Sequence, residues 1–294
     1  MLQVGIIGYG RRIAHMAREL GVYTIPYRVA AIADPRAEAL QAAGDPLLAE
    51  ARLYPDADAM LRAEAETLDG VMVGTRCHLH AEMACRVALY RLPLFLEKPV
   101  AITFAQLKAL DRAFADYPAP TVVSFPLRLT PIVQTVKQML AADAIGSVEH
   151  VVAVNDVPYG DVYYRRWYRN YDQVGGLWLQ KATHDLDYIT YLLGQRPRTV
   201  CALHAQRVYG GSRPFDLRCA DCPDQGVCPE SPFNLFYQRF QGQQVADDQE
   251  SMCLFAEGIR NQDMGNCLIE YENGAQLSYT QNFFARFEAA RRGA

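Results

Sequence analysis

The chain has 294 residues, of which 50% are hydrophobic, and a formal net charge of −4 with a pI near 5.9. That length suffices for one large or two ordinary domains, and the acidic balance argues against nucleic acid, which usually requires a basic stripe. The N-terminus reads as a strand and a glycine turn rather than a signal peptide, and no apolar run approaches membrane-spanning length. We therefore expect a soluble cytoplasmic protein without a membrane partner, whose eight cysteines are mostly reduced.

The first 125 residues alternate short apolar runs with helical patterns. The runs are rich in Val and Ile and lack clean alternation, as is typical of strands buried on both faces. They are QVGIIG, RVAAIA, GVMVG, PLFLE and TVVSF. Helical patterns lie near residues 13–20, 79–90 and 104–117. Repeated strand–helix units predict an α/β domain over residues 1–124, built on a doubly wound parallel sheet.

The remaining residues, 125–294, have a different texture. Helical patterns cover residues 131–146 and 177–194, and strands are predicted over residues 147–157 and 199–208. Asn273 and Gly274 separate two alternating runs, which predicts a hairpin with a type I′ turn. We expect a second, α+β domain with a largely antiparallel sheet. Residues 284–294 end without a cap, so the chain is expected to be truncated or to lack a following segment.

Gly8, Tyr9 and Gly10 form a candidate phosphate-binding turn between the first strand and the first helix. Gly8 permits a tight turn, and Gly10 lets backbone N–H groups approach a pyrophosphate at the helix N-terminus. Ile13 occupies the position of the third glycine in this type of motif, and it is expected to pack on the sheet. The alternative is a purely structural glycine turn.

Asp34 ends the second strand and lies 26 residues after Gly8. A carboxylate there can accept hydrogen bonds from the adenosine ribose, and it would repel a 2′-phosphate. This favours NAD, although Arg36 is close enough to leave NADP open. The alternative is a turn-forming aspartate before Pro35.

Several ordered motifs together resemble the Gfo/Idh/MocA family of NAD(P)-dependent sugar and polyol oxidoreductases. They are GIIGYG, GTRCHLHAEMACRVAL followed by EKP, SFPLRLTP, AIGSVEHV and GGLWLQKATHDLDYITYLLG. The resemblance implies an N-terminal Rossmann domain and a C-terminal domain with an open sheet whose face mediates assembly, giving a homodimer or homotetramer. It also implies that the cofactor is bound by Gly8, Tyr9, Gly10, Arg11, Arg12, Asp34, Thr75, His80, Glu97 and Lys98.

The lysine of the family's EKP motif corresponds to Lys98. The resemblance implies that it contacts substrate and nicotinamide at the carboxyl edge of the parallel sheet, where such sheets bind ligands. Its ammonium group would hydrogen-bond the reacting hydroxyl and stabilise alkoxide charge. Glu97 is expected to pair with Lys98 or to orient it. The alternative is a strand-end ion pair without a catalytic role.

The family's general base, a histidine, corresponds to His184. Neutral imidazole suits removal of a hydroxyl proton near pH 7. We predict that His184 begins a helix with Thr183 as N-cap, where the helix dipole favours the neutral ring. Asp187, one turn further on, would orient that ring. The alternative is a structural histidine.

Two positions of this motif depart from the family pattern. Gln180 and Ala182 stand where many members have Asp and Gly, and a glutamine cannot relay a proton. Lys181 lies three residues before His184 and resembles a sub-branch with Lys-x-x-His, so we predict that it assists in proton transfer. The alternative is a solvated lysine at the entry to the helix.

The substrate is expected to contact Arg128, Tyr164, Trp167 and Asp187. Tyr164 and Trp167 belong to an aromatic and basic run over residues 159–168, which suits a polyhydroxylated ring or, alternatively, interface or loop packing. His78 and His80 lie near Cys77. A metal site there is a minor alternative, and helix capping with cofactor contact is the main interpretation of His80.

Cys219, Cys222 and Cys228 form a Cys-x2-Cys-x5-Cys group that also occurs in the Lys-x-x-His sub-branch. A structural zinc ion is one interpretation, with a fourth ligand from Cys201, His204, Cys253 or another subunit. An iron–sulfur cluster, free redox thiols and a disulfide are the alternatives.

The combined features predict an oxidoreductase that moves hydride between NAD(P) and a hydroxyl carbon of a sugar, inositol or related polyol. One alternative is an NAD-dependent glycoside hydrolase-like enzyme of the same fold, in which the cofactor oxidises the sugar only transiently. Another is a non-catalytic sensor that binds a dinucleotide.

Overall fold

A computed structural model of the chain describes residues 1–232, 234 and 251–285. The chain divides into two compact units, Met1–Pro126 and Leu127–Ala294. The division lies close to the predicted boundary between residues 124 and 125. The expected truncation concerns residues 284–294, and of these residues 286–294 lie outside the described part. No helix among the described residues is long and apolar enough to cross a membrane.

The first unit contains a parallel sheet of six strands in the order β3-β2-β1-β4-β5-β6. Its strands are β1 Leu2–Ile7, β2 Tyr27–Ala33, β3 Arg52–Tyr54, β4 Gly70–Val73, β5 Leu94–Leu96 and β6 Thr121–Val123. Its helices are α1 Arg11–Val22, α2 Ala37–Ala42, α3 Ala57–Glu64, α4 His80–Leu89 and α5 Phe104–Phe114. Apolar clusters pack on both faces, which confirms the predicted Rossmann architecture and explains the Val- and Ile-rich strands.

Two helices of this unit begin at side-chain caps that the sequence makes visible. Asp56 accepts a hydrogen bond from the Ala59 N–H at the start of α3, and Thr103 accepts one from the Gln106 N–H at the start of α5. Such caps satisfy backbone donors that the first helical turn leaves open. They fix where α3 and α5 begin, although α3 itself was not predicted.

The second unit contains a mixed sheet in the order β7-β10-β9-β8, in which only the β7–β10 pair is parallel. Its strands are β7 His150–Asp156, β8 Pro197–Ala205, β9 Met264–Tyr271 and β10 Gln276–Asn282. Its helices are α6 Pro131–Ala141, α7 Val162–Arg165, α8 Tyr171–Val174 and α9 Thr183–Leu193. This arrangement confirms the predicted α+β domain.

The hairpin between β9 and β10 was predicted, but its turn type was wrong. Tyr271 N–H donates to Ala275 O at 2.9 Å, and Gly274 N–H donates to Tyr271 O at 2.9 Å. Gly274 has a φ of +89°, whereas Asn273 has no positive φ. A type I′ turn needs positive φ at both central residues, so this is a three-residue loop with a glycine bulge.

The second sheet has one buried and one exposed face. The buried face packs Cys267, Ile269, Leu277 and Tyr279 against Ile189 of α9. The opposite face exposes large apolar side chains, namely Val152, Val154, Leu203 and Leu268. Ser278 and Thr280 of β10 lie between the apolar residues of β7 and Leu268 or Asn266 of β9. Several exposed apolar side chains on one sheet face are typical of a protein–protein contact.

Candidate functional site

The turn between β1 and α1 requires glycine at residue 8. Gly8 has a φ of +82°, and a Cβ atom there would lie 2.7 Å from the backbone nitrogen of Thr75. Its N–H donates to Ala33 O at 2.9 Å, which holds the turn against β2. At Gly10, the residue before α1, an added Cβ would meet only Gly74 O, at 3.7 Å. The N-terminus of α1 is therefore uncrowded, as binding of a phosphate group requires.

The missing third glycine of the motif is replaced by a glycine on the sheet. Ile13 is fully buried on α1. A Cβ added to Gly74, just after β4, would lie only 1.9 Å from Ile13 Cγ1. The third glycine normally allows close packing of helix and strand. Here the strand supplies the missing space, so α1 can carry a full side chain at this position.

Asp34 lies at the end of β2 and is 7% exposed. One carboxylate oxygen accepts from Tyr9 N–H at 2.8 Å, and the other accepts from Arg36 N–H at 2.8 Å and from Arg36 Nε at 3.3 Å. The carboxylate thus lies next to the glycine turn, where a side chain that binds the cofactor ribose is expected. Arg36 neutralises part of its charge, which is the feature that left NADP open.

The side chain of Tyr9 has a packing role rather than the predicted cofactor contact. It is 4% exposed, and its hydroxyl donates to Asp45 Oδ2 at 2.9 Å. Burial and the neighbouring Asp45 carboxylate raise the pKa of this phenol. Tyr9 can therefore serve a cofactor only through its backbone, because its ring belongs to the core between α1 and the sheet.

Glu97 pairs with an arginine of α1. Arg12 Nε donates to Glu97 Oε1 at 3.1 Å, and Arg12 Nη2 donates to Ser124 Oγ at 3.4 Å. These bonds connect the start of α1 with the ends of β5 and β6. Arg12 therefore has a structural contact beside the predicted phosphate site. Lys98 follows Glu97 directly and precedes Pro99 through a cis peptide bond.

His80 connects the segments that follow β4 and β5. Its Nδ1 lies 2.7 Å from Pro99 O, and its Nε2 lies 3.0 Å from Thr75 O. The ring is 2% exposed, and burial lowers its pKa. Because both ring nitrogens face backbone oxygens, His80 is placed as a structural link rather than as a metal ligand. His80 therefore holds Pro99, the neighbour of Lys98, close to Thr75, which packs on Gly8.

In the second unit, His184 does not begin a helix as predicted. A π-helical turn, Trp178–Ala182, runs directly into α9, and Ala182 already has helical backbone angles. The turn widens the helix just before His184, and π-turns of this kind are frequent at functional sites. The expected effect of a helix N-terminus on His184 therefore does not apply, because the preceding turn is itself helical.

The π-helical turn places the side chains of Lys181 and Gln180 in different surroundings. Lys181 Nζ donates to Tyr159 OH at 2.7 Å, whereas Gln180 is 2% exposed and its side-chain amide donates to Val174 O at 2.8 Å. Lys181 thus lies beside the aromatic run, and Gln180 stabilises the backbone before the turn. The residue at the family's Asp position therefore has a structural contact in this chain.

Asp185, next to His184, was not predicted as a site residue. It is 7% exposed, and Oδ2 accepts from Tyr279 OH at 2.7 Å and also from the Asn155 side chain. Burial raises the pKa of this carboxyl overall, and the two hydrogen bonds and the charge of Lys181 oppose only part of that increase. The available signal was its i+4 spacing from Lys181, which puts the two residues on one helix face.

Asp187 forms a two-pronged ion pair with Arg128. Arg128 Nε donates to Asp187 Oδ2 at 2.7 Å, and Arg128 Nη2 donates to Oδ1 at 2.5 Å. Such a fork is a strong and directional contact. Asp187 was predicted to orient the His184 ring. In the structure, both of its carboxylate oxygens accept hydrogen bonds from Arg128 instead.

The aromatic run divides into core and surface residues. Tyr164 is fully buried, its hydroxyl donates to Gln262 O at 2.7 Å, and its ring lies 4.4 Å from that of Tyr209. The prediction that Tyr164 contacts substrate is therefore wrong, because the side chain belongs to the core. Trp167 is partly exposed and stacks on Tyr168 at 4.0 Å, so it stays a candidate.

The predicted metal ligands Cys219, Cys222 and Cys228 are all partly buried and reduced. Within the described residues, no group of three or more His, Cys, Asp or Glu side chains is positioned to hold a metal ion. The interpretation of the three cysteines alone as a preformed metal centre is therefore not supported. The same holds for the minor alternative at His78 and His80.

Sequence models of known families match both units. Residues 2–125 match the oxidoreductase family with an NAD-binding Rossmann fold, and residues 133–292 match the GFO/IDH/MocA C-terminal domain. The two matches together cover most of the chain.

Individual relatives agree with these matches. The Bacillus subtilis (strain 168) protein YteT, whose name assigns it to the oxidoreductases, is 28% identical over 256 residues, covering 80% of this chain and 59% of YteT. Inositol 2-dehydrogenase of Rhizobium meliloti (strain 1021) is 26% identical over 206 residues, covering 69% of this chain and 58% of that enzyme. The chain thus spans less than two thirds of the length of these relatives.

A solved structure has the same fold. It is the WlbA dehydrogenase from Bordetella pertussis in complex with NADH and UDP-GlcNAcA. It superimposes with a TM-score of 0.70 at 20% identity, covering 97% of this chain and 67% of that one.

Proposed function

The chain belongs to the Gfo/Idh/MocA family of oxidoreductases, and we propose that it moves a hydride between NAD and a hydroxyl-bearing carbon of a sugar, inositol or related polyol. The observation that carries this proposal is the cluster at the carboxyl edge of the first sheet. There the Gly8 turn packs on Thr75, and His80 links Thr75 to Pro99, the neighbour of Lys98. The name of the inositol 2-dehydrogenase relative supports the substrate class.

The proposed cofactor is NAD, which would supply the hydride acceptor when bound. The pyrophosphate would lie at the N-terminus of α1, where Gly10 leaves the backbone N–H groups accessible. Asp34 would accept hydrogen bonds from the ribose diol. NADP is the less favoured cofactor because the Asp34 carboxylate would repel a 2′-phosphate, although Arg36 reduces that repulsion.

The proposed catalytic groups are Lys98, His184 and Lys181. Lys98 would donate a hydrogen bond to the reacting hydroxyl and stabilise negative charge on its oxygen. His184 would accept the hydroxyl proton. Lys181 would assist from its position beside Tyr159, at 2.7 Å. Arg128, Trp167 and Asp187 are the proposed substrate contacts, with Asp187 acting by orienting Arg128.

A substrate screen tests this function. The full chain is incubated with NAD or NADP and a panel of sugars, sugar acids and inositols, and the absorbance of reduced nicotinamide is followed. Accumulation of NADH with a polyol is the expected result. Sugar release without net NADH would instead support transient oxidation, and NAD binding without turnover across the whole panel would support a sensor.

We also propose that the chain assembles into a homodimer or homotetramer through the exposed face of the second sheet. Leu203 and Leu268 are 75% and 61% exposed on that face, and covering apolar area of this kind stabilises association. Light scattering of the full chain measures the mass, and Leu203→Lys should shift it toward the monomer. A monomeric parent protein would contradict the proposal.

A further inference from the structure

Four cysteines line one cavity of about 290 Å³ in the second unit. They are Cys219, Cys222, Cys228 and Cys253. Cys219 N–H donates to Ser251 O at 2.7 Å, and Cys253 N–H donates to Leu217 O at 2.8 Å. These two bonds pair a short stretch of the cysteine loop with the segment around Cys253 in antiparallel fashion. Cys253 thus joins the three cysteines of the sequence motif from a distant part of the chain.

The structure also separates Cys253 from the other residues considered as a fourth ligand. Cys253 is 6% exposed and borders the cavity. Cys201 and His204, in contrast, lie on β8 and are exposed to solvent. A centre built from this loop would therefore have four sulfur donors from one chain, a donor set that is typical of structural zinc.

Two arginines donate hydrogen bonds to the sulfur atoms of the cavity. Arg165 Nη1 lies 3.3 Å from Cys219 Sγ, and Arg213 Nη1 lies 3.5 Å from Cys222 Sγ. Each arginine also has a carboxylate partner, Asp161 and Asp224 respectively. N–H donors to sulfur are the outer contacts expected around thiolates that bind a metal, because they stabilise the negative charge on sulfur.

A third arginine, Arg169, is buried within electrostatic range of Cys253 and Cys219, and it has no anionic partner among the described residues. Arg169 is 4% exposed, and none of its three side-chain nitrogens has a hydrogen-bond acceptor among the described residues. Its guanidinium lies 4.4 Å from the ring centroid of Phe215. Burial lowers its pKa, whereas the thiol groups of Cys253 and Cys219 act in the opposite direction when negatively charged. A buried cation in this position requires a nearby negative charge, and neutral thiols do not provide one.

We propose that Cys219, Cys222, Cys228 and Cys253 together bind one zinc ion as thiolates, and that Arg169 is its buried counter-charge. Each thiol would lose its proton to solvent as its sulfur–zinc bond forms, with no change in oxidation state. A divalent ion with four thiolates has a net negative charge. It would therefore supply the anionic partner that Arg169 does not have in the described part of the chain. The site would fasten the cysteine loop to the segment around Cys253, and it does not depend on the proposed redox activity.

The sulfur atoms border the cavity but do not converge on one point, consistent with the absence of a preformed metal group among the described residues. Rotation about the Cα–Cβ bond moves each sulfur between staggered positions while the backbone stays in place. Binding of the ion would therefore require side-chain rotation at the four cysteines, and the backbone pairing of Cys219 and Cys253 could be retained.

Metal analysis of the full chain, purified without added zinc, tests this site. We expect about one zinc per chain and protection of the four thiols from a thiol reagent. Cys253→Ser should weaken zinc binding at least about tenfold in competition with a chromogenic chelator, whereas the exposed Cys201→Ser should leave it unchanged. Circular dichroism checks that both variants fold.

Arg169→Gln gives a second test that leaves every sulfur ligand in place. Loss of the counter-charge should lower zinc affinity by about 10–100-fold, the range typical of outer contacts. Substoichiometric metal with all four thiols freely reactive would overturn the proposal. So would bound iron in place of zinc, a disulfide detected by mass spectrometry, or an unchanged affinity in Cys253→Ser.

Discussion

Replacing Gly74 with alanine tests how this chain compensates for the missing third glycine of its phosphate turn. The new Cβ atom would lie 1.9 Å from Ile13 Cγ1, which is about 1.5 Å closer than ordinary contact at 3.4 Å (3.4 − 1.9). Ile13 is fully buried and cannot turn toward solvent. Overpacking of this kind costs about 1–3 kcal/mol, and we expect the upper end of that range. A shift of α1 would also weaken NAD binding.

A double-mutant cycle isolates this contact. Ile13→Ala removes the Cγ1 and Cδ1 atoms that the new methyl group would meet at 1.9 and 2.8 Å, and alone it should destabilise by about 2–5 kcal/mol through cavity formation. In the double variant, the methyl group at residue 74 occupies part of that cavity. The combined loss should therefore be smaller than the sum of the two single losses, by about 1–3 kcal/mol.

Urea denaturation followed by circular dichroism measures the free energies of unfolding, and a fluorescence titration measures NAD affinity. For the unfolding measurements, Gly10→Ala is the matched control, because its added Cβ would meet only Gly74 O, at 3.7 Å. It should change stability by less than about 0.5 kcal/mol. Additivity of Gly74→Ala and Ile13→Ala within about 0.5 kcal/mol would refute the reasoning.

Three further outcomes are expected. Lys98→Ala should lower kcat by at least about 100-fold and change NAD affinity little, because a transition-state hydrogen bond is lost. The control, replacement of the exposed Lys108 by alanine, should keep full turnover. Equal kcat values for Lys98→Ala and the parent chain would contradict the catalytic role of Lys98. Asp34→Ser should raise the ratio of kcat/KM with NADP to that with NAD by about tenfold, because it removes a charge that repels phosphate and releases Arg36. An unchanged ratio would contradict the proposed role of Asp34 in choosing NAD. Because burial lowers the pKa of His80, its contribution to stability is complete above about pH 6.5 and is lost as the pH falls through its lower native pKa. His80→Gln should therefore show a smaller drop in melting temperature below about pH 6.5 than the parent chain, and identical pH profiles would exclude this explanation.

The elements that the sequence missed are short. In the second unit they are α7 and α8, with four residues each, and the others lie together in the first unit. Residues 34–69 include β3, which has only three residues, and α2, which has six. Elements this short do not extend over enough positions for a hydrophobic period to be recognised. The start of α3 is marked by Asp56, since a capping aspartate before a helical run is visible in the sequence.

The π-helical turn shows a different limit. The apolar pattern predicted a helix over residues 177–194, which includes this turn, whereas the prediction of Thr183 as N-cap placed the start of the helix after it. The five residues of this turn are too few for the apolar pattern to distinguish an α-helical turn from a π-helical one. Whether the helix begins before or at Thr183 depends on how the turn packs in the second unit.

The sequence by itself determined the fold class, the order of most strands and long helices in both units, and the glycine turn at Gly8. These features follow from local preferences, namely positive φ at glycine and the period of apolar residues. The tertiary structure alone decided which side chains become partners: Glu97 binds Arg12, Asp187 binds Arg128, and Cys253 joins the cysteine loop. The physical reason is that such partners are far apart in sequence. Their pairing depends on which charges and sulfur atoms the fold removes from water together, a free energy that no local pattern contains.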